Sequence, residues 1–126
     1  MYHVDILNKG AYTFDVQAGK YKFVVDLKGN GVTPPDALLA SLGTCIGVYV
    51  RKYAEGMKLD LPEFSISAEA DLSKEPPLCF RKINVLIDFK DAALDEKRIQ
   101  AMLQFIENCP VHNTLKANPD VDVKIK

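Results

Sequence analysis

Apolar and polar side chains alternate three times near the start of the chain: Tyr2, Val4 and Ile6, then Tyr12, Phe14 and Val16, then Tyr21, Phe23 and Val25. A period of two places each set on one face of a strand. The turn-forming runs Asn8-Lys9-Gly10 and Ala18-Gly19-Lys20 separate them, so the pattern predicts a three-stranded meander ended by Lys28-Gly29-Asn30-Gly31. The period then changes. Thr33-Pro34-Pro35-Asp36 reads as a helix start, with a capping hydroxyl, prolines where the first turn tolerates them and an acid three positions on. The predicted helix runs from about Pro35 to Glu55 and stops at Gly56. Leu38, Leu42, Cys45, Tyr49 and Tyr53 form its apolar stripe, while Ala40, Ser41, Gly43, Thr44 and Gly47 keep another side thin. Such a helix belongs at the centre of a core.

After Leu61-Pro62, Phe64, Ile66, Ala68 and Ala70 alternate with polar residues, as do Ile83, Val85, Ile87 and Phe89, predicting two longer strands joined through Lys74-Glu75-Pro76-Pro77. Asp95 reads as an N-cap, with Leu94 and Ile99 as a hydrophobic staple. Ile99, Met102, Leu103 and Ile106 carry that helix toward Cys109, where Pro110 interrupts it. A short helix from about Pro110 to Lys116 and a last strand through Val121, Val123 and Ile125 complete the order βββαββααβ. Segregated strands and helices imply an α+β fold with a largely antiparallel sheet. One domain spanning 1–126 is expected, with the meander at 1–31 and a helix-strand core at 32–126.

Composition narrows the function classes. Sixteen basic and 17 acidic side chains give a net charge of −1, without the basic excess of a nucleic-acid or anionic-membrane binder. The longest uncharged stretch, Ala37 to Val50, is fourteen residues, short of the ~20 that span a bilayer. Met1-Tyr2-His3-Val4-Asp5 lacks the pattern of a secretion signal, so a cytoplasmic location is expected. Cys45, Cys79 and Cys109 are spaced by 34 and 30 residues, unlike any zinc or CxxC motif. With His3 and His112 the only histidines, no metal site is expected and the chemistry points to thiols.

Free cysteines are most often small apolar fillers. Cys79, beside Phe80, has nothing in sequence to activate it and reads as structural. Cys45 lies mid-helix on an apolar stripe, which by itself also argues for core. Cys109 stands immediately before Pro110, where a helix N-terminus beside its sulfur lowers a thiol pKa. The alternative is that Asn108 supplies the cap and Cys109 only ends the stripe.

The segment from Pro35 through Asp36, Leu38 and Leu39 to Cys45, together with Cys109-Pro110-Val111-His112-Asn113 sixty-four residues after Cys45, resembles the OsmC/Ohr family of organic hydroperoxide reductases. The two motifs, their spacing and the element order carry the resemblance over nearly the whole chain. It implies a peroxidase of two cysteines without metal, haem or other cofactor. Cys45 would be the peroxidatic thiol, forming a sulfenic acid, and Cys109 would resolve it as a disulfide. It further implies an intertwined homodimer to which residues 1–31 contribute, and a dithiol reductant such as a lipoylated protein.

The chain also departs from that family. Hydroperoxide-resistance members place an N-terminal Arg beside the peroxidatic thiolate, held by an acid, whereas no Arg precedes Arg51 here. Asp36, nine residues before Cys45, is either that acid or simply a helix cap. A lysine among Lys9, Lys20, Lys22 and Lys28 would act as a point charge and not as a bidentate fork. Arg81 shares the inward phase of Ile83, Val85 and Ile87, or reaches solvent from a strand end. His112 either tunes a thiolate or faces solvent. The missing Arg favours the rival reading, a non-peroxidase dimer that binds a small ligand or senses redox state. A purely structural dimer with inert cysteines is the third.

Overall fold

The computed structural model describes residues 1–126 and divides into two compact units, Met1–Ala40 and Ser41–Lys126. In the first, β1 (Asp5–Asn8), β2 (Thr13–Ala18) and β3 (Tyr21–Asp26) form the antiparallel meander in the order β1-β2-β3. The alternating apolar positions meet across the sheet: Ile6 pairs with Val16, and Val16 with Phe23. The Asn8 side-chain amide closes the first turn by donating to the carbonyls of Gly10, Ala11 and Thr13.

Beyond β3 the buried Asp26 carboxylate organises the loop. It accepts from Thr13 Oγ1 at 2.8 Å, Lys28 N at 3.2 Å and Asn30 N at 2.6 Å. The backbone amide of Asn30 above all, then the Thr13 hydroxyl, hold its pKa below the usual carboxylate value. Val32 then bridges to Val25, and a Cβ on Gly31 would sit 2.9 Å from the Val24 carbonyl oxygen, so only glycine fits there unshifted.

Helix α1 (Pro34–Gly56) starts as its sequence dictates. Thr33 Oγ1 accepts from Asp36 N–H, and the Asp36 carboxylate accepts from Thr33 N–H, which satisfies two free amides of the first turn.

In the second unit β4 (Ser65–Glu69) and β5 (Asn84–Asp88) pair antiparallel, with Ile66 opposite Ile87 and Ala68 opposite Val85. Their inward residues pack on residues 41–56 of α1, together with α2 (Glu96–Phe105) and α3 (Pro110–Ala117). Leu42, Ile46, Val50, Tyr53, Met102 and Cys109 lie at the centre, and Val50 and Cys109 are wholly sealed. Relative to the predicted stripe, burial is rotated by about one residue: Ile46 and Val50 are deeper than Cys45 and Tyr49.

The thin side of α1 does receive a neighbour. A Cβ on Gly47 would lie 3.3 Å from Ile66 Cδ1, so the end of the Ile66 side chain would have to give by a few tenths of an ångström. Arg51 ties the same region together, donating to the Leu61 carbonyl at 2.6 Å with its guanidinium 5.1 Å from the centre of the Phe64 ring. Asp95 caps α2 by accepting from Arg98 N–H at 2.8 Å.

Three expectations are corrected. The strands predicted from the Phe64 and Ile83 runs are shorter at both ends. The five strands form a three-stranded and a two-stranded sheet, not one. The last strand does not form: Val121, Val123 and Ile125 are exposed and without regular structure, so the order is βββαββαα, with a 3₁₀ turn at Ile106–Asn108 before α3. Alternation specifies which face a side chain takes, but a strand also needs an edge to accept its hydrogen bonds. No helix is long and apolar enough to cross a membrane.

Candidate active site

Helix α3 is built around Cys109. Pro110 occupies its first position, where a missing N–H costs nothing, and the extended backbone of Cys109 (φ −60°, ψ 115°) makes it the N-cap. Its Sγ accepts from His112 N–H at 3.5 Å, and its carbonyl accepts from Asn113 N–H at 3.0 Å. The alternative cap is excluded, because the Asn108 side chain donates instead to the Phe105 carbonyl at 2.9 Å.

This helix end brings Cys109 to Cys45. Sixty-four residues apart in sequence, Cys45 packs against the core cluster that contains Cys109. Cys45 is half-buried on α1, whereas Cys109 is fully buried. Burial, and after it the Cys45 side chain, push the Cys109 thiol above its ordinary pKa; the His112 and Val111 amides pull the other way and lose. The sequence argument from the helix N-terminus therefore had one contribution right and the net direction wrong, since it could not see that the sulfur is sealed from water.

The remaining candidates lie elsewhere. Cys79 is half-buried in the β4–β5 connection, where its N–H donates to Ser73 Oγ at 3.2 Å and its carbonyl accepts from Ser73 N–H. Asp36 accepts from Thr33 Oγ1 at 2.7 Å as well as from Thr33 N–H, and these two bonds hold its pKa below the usual carboxylate value. Within residues 1–40 no lysine pairs with it; the ion pair there is His3 with Asp5, at 3.0 Å. Arg81 is exposed at the approach to β5, in agreement with the solvent-reaching alternative.

Sequence reasoning missed a groove of about 570 Å³ in the second unit. Leu42 and Ile46, which flank Cys45 along α1, share its walls with Val85, Ile87 and Ile106, and His112 and Arg81 stand among its polar residues. The alternation of Ile83, Val85 and Ile87 signalled an apolar wall. Nothing in the sequence signalled that β5 and the corner between α2 and α3 diverge enough to leave it open. A groove of this size, apolar along one wall and rimmed by Arg81, Lys82, Glu107, His112 and Lys116, suits a small amphipathic molecule; neither Cys45 nor Cys109 is among its lining residues.

Comparison with known proteins agrees with this architecture. The chain superposes on the crystal structure of an OsmC-like protein from Mycoplasma pneumoniae with a TM-score of 0.80 at 19% identity, covering 92% of this chain and 87% of that one. An organic hydroperoxide resistance protein OsmC from Legionella pneumophila gives 0.67 at 21% identity, covering 97% and 93%. The organic hydroperoxide resistance protein OhrB of Bacillus subtilis gives 0.63 at 20% identity, covering 100% and 98%. At these identities the likeness establishes the fold. No functionally curated protein matches the sequence. The family model described as OsmC-like protein matches residues 27–124, which includes both Cys45 and Cys109, and the chain belongs to the OsmC-like family.

Proposed function

We propose that this protein is a thiol peroxidase that reduces organic hydroperoxides, with Cys45 peroxidatic and Cys109 resolving. The observation that carries this reading is that Cys45 packs against the core cluster holding the buried Cys109, so that the folded chain keeps a second thiol near the first. The Cys45 thiolate attacks the hydroxyl oxygen of ROOH. The O–O bond breaks, RO⁻ takes a proton from water and leaves as ROH, and Cys45 becomes the sulfenic acid. Cys109 sulfur then attacks Cys45 sulfur: an S–S bond forms, the S–O bond breaks, and the Cys109 proton leaves with the hydroxyl as water. A dithiol, such as a lipoylated protein, reduces the disulfide by exchange and is itself oxidised to a cyclic disulfide. The apolar wall of the groove, formed with Leu42 and Ile46, supports a greasy R group.

The working form in this proposal is a homodimer. Its support is the open meander, where Ile6, Leu7, Phe23 and Val24 are all exposed, and the exposed tail at Val121, Val123 and Ile125. One observation favours the rival ligand-binding or redox-sensing reading: the Asp36 carboxylate is taken by Thr33 and holds no cation in its own unit. Hydroperoxide consumption with dithiothreitol as reductant separates the two. The peroxidase reading expects Cys45→Ser to abolish turnover and Cys109→Ser to stop after one sulfenic acid per chain. Retained turnover in Cys45→Ser overturns it.

A further inference from the structure

We propose that the groove of the second unit is a binding site for an anionic amphiphile, a small apolar body that ends in a carboxylate. The inference adds a charged head to the apolar body that the groove wall already suits. It does not rest on the peroxidase reading, because such a ligand need carry no peroxide bond.

Two kinds of lining meet in the groove. Leu42 and Ile46 of α1, Val85 and Ile87 of β5, Leu103 of α2 and Leu115 of α3 make one wall apolar. Leu103 and Leu115 are 45% and 40% exposed, so part of that wall stays in contact with water until something covers it. The rim is basic. Arg81 and Lys82 enter from the approach to β5, and Lys116 stands about one turn beyond His112 on α3, against a single carboxylate, Glu107. The chain as a whole carries a net charge of −1, so this excess is local and not the mark of a basic protein. The three cations are also without a counter-charge. The ion pair that the structure shows is His3 with Asp5 in the first unit, and Arg81, Lys82 and Lys116 hold no carboxylate.

These features select the ligand by elimination. A wholly apolar molecule would fill the wall and leave the cations beside it unpaired. A cation would meet like charge, and a small inorganic anion would leave the wall wet. A molecule with an apolar body and one anionic end satisfies both linings at once, and the planar Arg81 fork matches the two oxygens of a carboxylate. The groove, at about 570 Å³, has the size of a small-molecule site. Neither Cys45 nor Cys109 lines it, so its occupancy can be read apart from the thiols.

The test is calorimetric titration of the reduced full-length protein with four probes: octanoate, 1-octanol, octylammonium and acetate. Octanoate is expected to bind saturably and about tenfold more tightly than 1-octanol, the scale of one or two partly exposed ion pairs. Octylammonium and acetate, which have the wrong charge and no apolar body, are expected to show no saturable binding. Arg81→Glu combined with Lys116→Glu changes two exposed side chains, so the core is left intact. It is expected to lose the roughly tenfold preference for octanoate while keeping the affinity for 1-octanol.

Octanoate binding no tighter than 1-octanol in the wild type overturns the inference, as does equal octanoate affinity in the double variant. So does the absence of saturable octanoate binding, the result expected if a second copy of the chain fills the groove. Amide chemical shifts locate the site without any variant: changes on β5 and α3 uphold the inference, and changes confined to residues 1–40 or to the tail after Ala117 overturn it. Octanoate cannot oxidise a thiol. A protein that binds it and leaves cumene hydroperoxide untouched keeps this inference and loses the peroxidase reading, and the opposite result does the reverse.

Discussion

Residues 1–40 and 41–126 dispose of their apolar side chains in opposite ways. In the second unit Leu42, Ile46, Val50, Tyr53 and Met102 close over one another and over Cys109. In the first, Val16 and Val25 are buried, but Ile6, Leu7, Phe23 and Val24 lie open on both faces of the meander. A three-stranded sheet exposed in this way is the surface that the proposed homodimer would cover. The contrast separates two tasks: the thiol pair is held by a unit with its own core, while the meander offers a surface.

The largest effect expected of that contrast is on stability. Truncating Met102 to Ala removes a fully buried side chain from the closed core and should cost about 2–5 kcal/mol in denaturant unfolding. A loss under 1 kcal/mol would mean that the second unit is not the closed body described. Next comes association. Phe23→Asp puts a charge on the open sheet and should weaken the proposed homodimer by about tenfold or more in sedimentation velocity, roughly 1.4 kcal/mol. An unaltered dimer would place the interface elsewhere.

Asp95→Ala should cost about 1 kcal/mol by removing the side-chain acceptor at the start of α2. It should leave self-association untouched, because Asp95 lies in neither the open meander nor the exposed tail. The narrowest effect lies in acid. Asp26 has a lowered pKa in the folded chain, so its contribution is present above the ordinary carboxylate pKa of 3.8 and is lost as pH falls through the lowered value. Asp26→Asn should flatten that acid limb of the stability curve, and an unchanged limb would remove Asp26 from the account of the first unit.

Most of the local structure was legible because each signal is short in range. Two-residue alternation between glycine turns set the meander. Thr33 with Asp36, and Asp95 with Arg98, set the helix starts, and Cys109-Pro110 set the entry to α3. The misses all depend on what lies across space. Val121, Val123 and Ile125 alternate as a strand does but find no edge. Cys109 has the helix-end environment that lowers a thiol pKa, yet burial, and after it the Cys45 side chain, raise it. Asp36 matched two roles equally in sequence, and only its bonds to Thr33 show how its carboxylate is used. The meeting of Cys45 and Cys109 was accessible through the family resemblance alone, since a spacing of 64 residues carries no geometry.

The most direct test of the central claim is mass spectrometry of the reduced protein after a brief pulse of one equivalent of cumene hydroperoxide. The account predicts a rapid loss of two hydrogens that maps to a bond between Cys45 and Cys109, with Cys79 left as a free thiol. Slow oxidation spread over all three cysteines, or no Cys45–Cys109 bond at all, would contradict it.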